Sequence, residues 1–520
     1  METAANPAPF RRRTFRFVTV FLLCGMIFWA ALAVTEMASW QEEGLFNYKG
    51  WLFVRNTFVP YNEVLTDHPP LAYLPIGLTQ VLFGPSLLAG RMFGALCWLL
   101  ASGLMAFTAK RIAGPGAMVV SLILSLTHMY SASYFCTGTP YALSALFVGG
   151  VIWFALDRKS HLYFLWMTIF AILAMLTFSI NAVFAFACVI FLVFDRSLKE
   201  GQNALLAGAP IATVPLTLLF AWGAKPQALL SVYRPGAIYK GLTLADPPFM
   251  PFTFDHEAGL AMKFAVTWLP FFALLLMAAI LRKSGDDEND VTELDSNHVR
   301  LLRFCLITFA VMVAFCAYGA GLRSRENYPE AALAFLPLLQ IPAAVYGARA
   351  FARQKIATAT VLILCLLPPM GPTFFLWVKI RHSETTELQR LAETGRVIAS
   401  VTEPDDIVFA YGSPHIMLEA GRVGFPELID RDRTLAFDQN SRLLKQRAFY
   451  NPTMAKRWLR MSDAAVIDTW ANGKEVDPRA DRMIGDLQEI LMVEFKEAAT
   501  IETGDLTRRG GHTVKVRLIE

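Results

Sequence analysis

The sequence predicts an α-helical polytopic membrane protein of about eleven spanning helices, N-terminus inside, with a C-terminal extracytoplasmic α/β domain. Three observations predict it. Apolar runs of spanning length recur, with short breaks, up to about Trp377. Lys and Arg collect in alternate breaks. Beyond about Lys379 the apolar runs shrink to strand length. Composition agrees: 55% of the residues are hydrophobic and 17% are charged, both on the membrane side of globular usage.

The first run, Phe15 to about Val34, follows Arg11-Arg12-Arg13. At about 20 residues it has the length of a spanning helix. It therefore reads as an uncleaved first helix and not as a signal peptide, although Ala31-Leu32-Ala33 would suit cleavage. Further spans are expected near 88–109, 115–134, 139–156, 161–177, 180–194, 204–222, 263–281, 301–320, 331–348 and 356–378.

Basic residues near helix ends favour the cytoplasm. With the N-terminal arginines inside, the cytoplasmic turns carry Lys110-Arg111, Arg158-Lys159, Arg196 with Lys199, Arg282-Lys283 with Arg300, and Arg349 and Arg353 with Lys355. This alternation holds only if 69–83, PPLAYLPIGLTQVLF, does not cross. That stretch is short and opens on Pro69-Pro70, so it reads as an amphipathic helix on the outer surface. The outside then receives a long first loop at about 36–87, a loop at about 223–262, the basic loop Arg323 to Tyr328, and the tail. The acidic connector 284–297 has no apolar period and reads as solvated chain.

The chain thus divides into a membrane part, 1–379, and a soluble part, 380–520. In the soluble part DIVFAYG (406–412), AAVIDTW (464–470) and HTVKVRLIE (512–520) read as strands, and 384–400 and 478–495 as helices. The net charge of +4 is small for this length and demands no nucleic-acid partner. Seven cysteines fall in or at the ends of apolar runs, with no C-x-x-C spacing, so they read as buried small hydrophobes.

The chemistry concentrates after the first span. WQEEGLFNYKG, 40–50, places Glu42 and Glu43 where the chain leaves the bilayer, and the same outer loop returns through Asp67-His68-Pro69-Pro70. Alone, an acidic pair beside a membrane reads as solvated interfacial charge. Flanked by apolar residues, carboxylates tend to raised pKa values, which suits general-base work, and a histidine beside an acid can carry charge for a phosphate. Cations for a phosphate on this side are His68, Arg55, Arg323 and Arg325; the two arginines of the late loop serve equally as headgroup anchors.

QEEGLF, then DHPPLAYLPIGLTQVLFG, then LLAGRMFGALCWLLASGLMAFTAKRIAG resembles the integral-membrane C-type glycosyltransferases, within them the protein O-mannosyltransferase and aminoarabinose-transferase branch. TGTPYALSALFVGGVIWFAL (137–156) and NYPEAALAFLPLLQIPA (327–343) are weaker echoes. The resemblance implies sugar transfer from a polyprenyl-phosphate donor to a glycan, lipid or protein acceptor on the non-cytoplasmic face, by direct displacement with inversion. It implies Glu42 as catalytic base, where the family usually has Asp, with Glu43 beside it. His68 falls where the family often has a phosphate-contacting Lys. Tyr141 falls where related enzymes often carry a second acid. Asp67 and Tyr328 are further candidates. A bacterial inner membrane is the expected location. A divalent metal is left open. Two other classes stay open: a polymerase or ligase using the same carrier, and a lipid-sugar flippase. A flippase would place its charges inside helices near the midplane, and here they gather in outer loops.

Overall fold

The structure, a computed structural model, describes residues 9–36, 41–55, 68–156, 163–178, 180–194, 210–211, 213, 254–283, 294–318, 332–365, 386–411, 414–429, 435, 450–468, 478–503 and 512–519. The membrane part contributes α1 (Pro9–Glu36), α2 (Gln41–Val54), a 3-10 turn (Pro70–Ala72), α3 (Leu74–Phe83), α4 (Leu87–Ala113), α5 (Pro115–Thr127), α6 (Met129–Phe135), α7 (Tyr141–Ala155), α8 (Tyr163–Thr177), α9 (Asn181–Phe194), α10 (Phe254–Lys283) and α11 (Ser296–Tyr318). A second 3-10 turn, Ala332–Phe335, leads into α12 (Leu336–Arg353), and α13 (Lys355–Cys365) follows.

The chain is an integral membrane protein. Among the described residues five helices are long and apolar enough to cross a bilayer: Thr14–Thr35, Leu87–Ala113, Phe264–Leu281, Ser296–Cys316 and Ala332–Arg353. The expectation of about eleven exceeds this for two reasons. Helices α5, α7, α8 and α9 are only 13 to 15 residues long, below spanning length. The expected span 204–222, apart from residues 210, 211 and 213, and the end of 356–378 lie outside the described residues. The run read as one span at 115–134 is broken at His128, whose ψ of 70° leaves the helical region and separates α5 from α6.

Local sequence sets several boundaries. Ser86 caps α4 by accepting the N–H of Ala89 (3.2 Å). Gly114, at φ 80°, ends α4 after Lys110-Arg111, two cations in the last turn where the helix dipole favours them. Pro115 then opens α5 at a position that needs no N–H. Side-chain hydrogen bonds join the helices. Gln340 of α12 donates to Ser125 Oγ (2.7 Å) and the Ser121 carbonyl (3.0 Å) of α5. Asn181 of α9 donates to Ser144 Oγ of α7 (2.8 Å). His128 Nε2 meets the Thr267 carbonyl of α10 (3.0 Å). In a bundle whose outer surface is apolar, such bonds specify which helices meet.

The tail contributes α14 (Glu387–Val401), β1 (Val408–Tyr411), α15 (Pro414–Ala420), α16 (Pro452–Arg460), β2 (Ala464–Asp468), α17 (Pro478–Glu494), β3 (Phe495–Thr503) and β4 (His512–Ile519). The sheet order is β1-β2-β4-β3, with β1 parallel to β2 and the other pairs antiparallel. Strand β3, FKEAATIET, was not expected. Its lysine and two glutamates hide the alternation that marks a strand, and it forms as the partner of β4. Capping signals were legible: Thr386 and Gln389 form a capping box on α14, and Asn451 caps α16.

The tail is joined to the membrane part through packing. Leu45, Tyr48, Trp51 and Leu52 of α2 share one apolar core with Ile398, Val408, Ile416, Met417 and Val466. The stretch expected to be a loop, 36–87, therefore contains a 14-residue helix, α2, which is a correction. Every residue of α2 from Glu43 to Leu52 is buried, so no amphipathic stripe marked it in the sequence.

Candidate active site at the start of the second helix

Helix α2 carries the acidic pair in its first turn. Side chains advance about 100° per residue, so α2 presents three faces. Residues 43, 47, 50 and 54 form one, 44, 45, 48, 51 and 52 a second, and 42, 46, 49 and 53 the third.

The first face meets α3, α4 and the turn before α7. Glu43 grips Arg91 of α4 with both oxygens: Nε to Oε1 at 2.7 Å and Nη2 to Oε2 at 2.9 Å, each residue 0% exposed. Arg91 Nη1 also donates to the Val34 carbonyl near the end of α1 (3.2 Å). One turn on, Asn47 donates to the carbonyls of Glu43 (2.7 Å) and Gly138 (3.2 Å) and accepts from Gln80 Nε2 of α3 (2.7 Å). A Cβ on Gly90 or Gly138 would collide with the Asn47 amide, so the backbones of α4 and the 137–140 turn approach α2 only as glycine. Gly50 and Gly77 meet backbone to backbone in the same way between α2 and α3. Four chain segments are thereby fixed around one buried polar seam.

The second face meets the tail. The His415 ring lies against Gly44, where any Cβ would strike it. The Tyr48 hydroxyl donates to the Arg422 carbonyl and accepts the Gly424 N–H, both at 3.0 Å. Close by, Glu419 of α15 accepts the N–H of Leu87, the first residue of α4 (2.7 Å). Burial holds the Glu419 carboxyl above its ordinary value; the Leu87 N–H and Arg91 lower it and Glu43 raises it. A raised carboxyl takes up its proton more readily in the folded protein than in the unfolded chain. Its contribution to stability is therefore complete below the ordinary value, near 4.5, and is lost as pH rises through the higher folded value. Glu419→Gln stays neutral and keeps an oxygen for Leu87. It should flatten the pH dependence of thermal unfolding in detergent and leave the midpoint at pH about 7 equal to or above wild type. Superimposable wild-type and variant profiles would remove Glu419 as the group responsible.

The third face turns to an aromatic cluster. Phe46 lies 5.0 Å from the His68 ring and 5.4 Å from Tyr73. His68 stacks on Phe178 (5.7 Å), and Tyr141 meets the edge of the same Phe178 (5.7 Å). Of the residues singled out in the sequence, His68 and Tyr141 are thus brought together, and position 42 belongs to the α2 face that looks towards them. Glu43 is on a different face, locked to Arg91. Arg55 is at the far end of α2, with its guanidinium 4.9 Å over Trp51, about 20 Å along the helix from Glu42. Asp67, Arg323, Arg325 and Tyr328 lie outside the described residues. Arg91, Lys49, Asn47, Gln80, His415 and Glu419 were not singled out as site residues. A lone Arg in an apolar helix is a readable signal for Arg91; the tail residues carried none. Among the described residues no cluster of three or more His, Cys, Asp or Glu could hold a metal.

Residues 67–222 match the sequence profile of the dolichyl-phosphate-mannose-protein mannosyltransferase family. No curated protein matches the sequence. The fold is similar to that of ArnT from Cupriavidus metallidurans in the apo state, with TM-score 0.61, 12% identity, and 97% of this chain and 98% of that chain covered. ArnT from the same organism bound to undecaprenyl phosphate matches with TM-score 0.60 and 12% identity over 96% and 98%. At this identity the likeness to the two ArnT structures is one of fold. The matched profile spans α3 to α9 and includes His68 and Tyr141, and the structural likeness extends through the tail.

Proposed function

We propose that this protein moves a sugar from a polyprenyl-phosphate donor to an extracytoplasmic acceptor, with Glu42 as the base. The observation that carries this is the partition of α2. One face is consumed by Arg91, Asn47 and Gln80, another by the tail, and the face of position 42 is the one turned to the His68–Tyr141 cluster. The resolved likeness to an ArnT bound to undecaprenyl phosphate supports the carrier.

A polyprenyl chain stays dissolved in lipid, so its phosphate sits at the interface, and the base must stand where protein meets headgroup. Glu42 takes the proton of the acceptor hydroxyl or amine. The acceptor's lone pair then forms the bond to the anomeric carbon as the bond from that carbon to the phosphate oxygen breaks, and the electron pair leaves on polyprenyl phosphate. Displacement from the opposite side inverts the anomeric centre. Glu43 acts as a positioning residue: through Arg91 it fixes the rotation of α2 and therefore the direction of position 42. His68 and, in the late outer loop, Arg323 and Arg325 steady the phosphate. In this reading 1–379 is the transferase part in a bacterial inner membrane, 69–83 lies along its outer surface, and 380–520 is an outer domain that closes over α2.

Purified protein supplied with a radiolabelled polyprenyl-phosphate sugar should transfer the label to an envelope glycan, lipid or protein. His68→Ala should raise the KM for the donor about tenfold or more, as loss of a charged hydrogen bond does, with a smaller change in kcat. His68→Lys should retain transfer. If glycans and glycolipids from cells with and without the gene are identical by mass spectrometry, and no donor is consumed in vitro, the reading is wrong.

A further inference from the structure

One short stretch of the tail, 422–424, receives Tyr48 of α2, and that stretch is itself fixed from three directions. Gly421, at φ 63°, ends α15 in the left-handed region, and the Arg422 N–H donates back to the Met417 carbonyl (3.1 Å). Val423 lies beside β1, where its carbonyl accepts the Val408 N–H (3.0 Å). The Arg422 guanidinium, 8% exposed, reaches the end of α14: Nε donates to Thr402 Oγ1 (2.8 Å), and Nη2 to the carbonyls of Thr402 (2.7 Å) and Ala399 (3.0 Å). A helix leaves such carbonyls without partners at its C-terminus, and a cation is favoured there. A Cβ at position 424 would strike the Val408 carbonyl, so the stretch closes on β1 only as glycine. The Tyr48 hydroxyl, 1% exposed with its residue, uses both its donor and its acceptor on this stretch.

Tyr48 stands five residues beyond Glu43, about 7.5 Å along the axis of α2 and about 140° around it. Glu43 ties the helix to α4 on one face, and Tyr48 ties it to the tail on another. One tie leaves a helix able to turn about it. Two ties, at different heights and on different faces, do not.

We infer that the tail is a brace for α2: Tyr48 is a positioning residue for sugar transfer, acting through the α2 backbone, and Arg422 holds the stretch on which Tyr48 rests. This rests on the transfer reading above and gives residues 380–520 a part in it. A displacement of about 1 Å at a reacting group can lower a rate about 10²-fold. A small turn of α2 is therefore sufficient, with no loss of fold. In that reading the donor phosphate is steadied from outside α2, so the effect falls on kcat and not on the donor KM.

The test is transfer from a radiolabelled polyprenyl-phosphate sugar by the full-length protein in detergent. Tyr48→Phe keeps the ring in its apolar core and removes only the hydroxyl. It should lower kcat about tenfold or more, leave the donor KM within about twofold, and stay folded at the assay temperature. A covalent tie then separates positioning from folding. An ideal Cβ on Gly44 would stand 2.6 Å from His415 Cγ, hence within about 4.1 Å of His415 Cβ, inside the disulfide range of about 3.5–4.5 Å. Added to Tyr48→Phe, the pair Gly44→Cys and His415→Cys should restore most of kcat when oxidised with copper phenanthroline and lose it again on reduction. Folded Tyr48→Phe with wild-type kcat overturns the inference alone. So does a loss that falls on KM, or one that the oxidised pair does not reverse. If wild type consumes no donor, the transfer reading falls, and this role for Tyr48 with it.

Discussion

Glu42→Gln should lower sugar transfer by about 10²–10⁴-fold while the protein still folds and still binds the carrier. The substitution keeps the size of the side chain and removes its ability to accept a proton. Glu42→Asp should retain measurable transfer: the carboxylate remains, set back by one methylene, and Asp is the residue usual in the related enzymes. The comparison is informative because Glu43 is adjacent. A residual activity explained by Glu43 would require it to leave Arg91, and both of its oxygens are held there. Single-turnover transfer of a radiolabelled sugar separates the chemical step from binding. Wild-type transfer by Glu42→Gln would place the base elsewhere, with Glu36, Glu43 and Asp67 the next residues to test.

Breaking the Glu43–Arg91 pair should cost about 3–5 kcal/mol of stability, because either single truncation leaves a fully buried charge that has lost its counter-charge. Arg91→Met should be the worse of the two. It also removes the hydrogen bond to the Val34 carbonyl that ties α4 to α1. The double variant Glu43→Leu/Arg91→Met removes both charges together and should recover a large part of the loss. A double-mutant cycle on thermal midpoints in detergent would therefore give a strong positive coupling. Transfer should not recover with stability, since an apolar pair no longer fixes the rotation of α2 about its axis. Single variants with midpoints close to wild type would show that water reaches the seam. A double variant that regains full transfer would show that the pair does not position Glu42.

How much of this was legible in the sequence depends on whether a residue's role was set by its own neighbours in the chain or by distant ones. Long apolar helices such as α1, α4, α11 and α12 were legible, because spanning length and flanking charge are local properties. So were β1, β2, β4 and the helices α14 and α17, where periodicity and capping residues lie within a few positions. Glu42, Glu43 and His68 were legible as candidates from short motifs. Helix α2 was not, since burial on all sides erases the polar stripe that a sequence reading needs. Strand β3 was not, since it takes its form from β4.

The sequence by itself determined that this is a polytopic membrane protein, because solvent preference and helix length follow from composition alone. Only the tertiary structure decided which groups meet. Arg91 lies 48 residues from Glu43, and Glu419 lies 332 from Leu87. Tyr48 is joined to Gly424 across 376 residues. Contacts so distant in the chain arise when glycines let backbones approach and buried polar groups must find partners. Those two requirements turn Glu43 into a lock for α2 and bring the tail onto Gly44 and Tyr48.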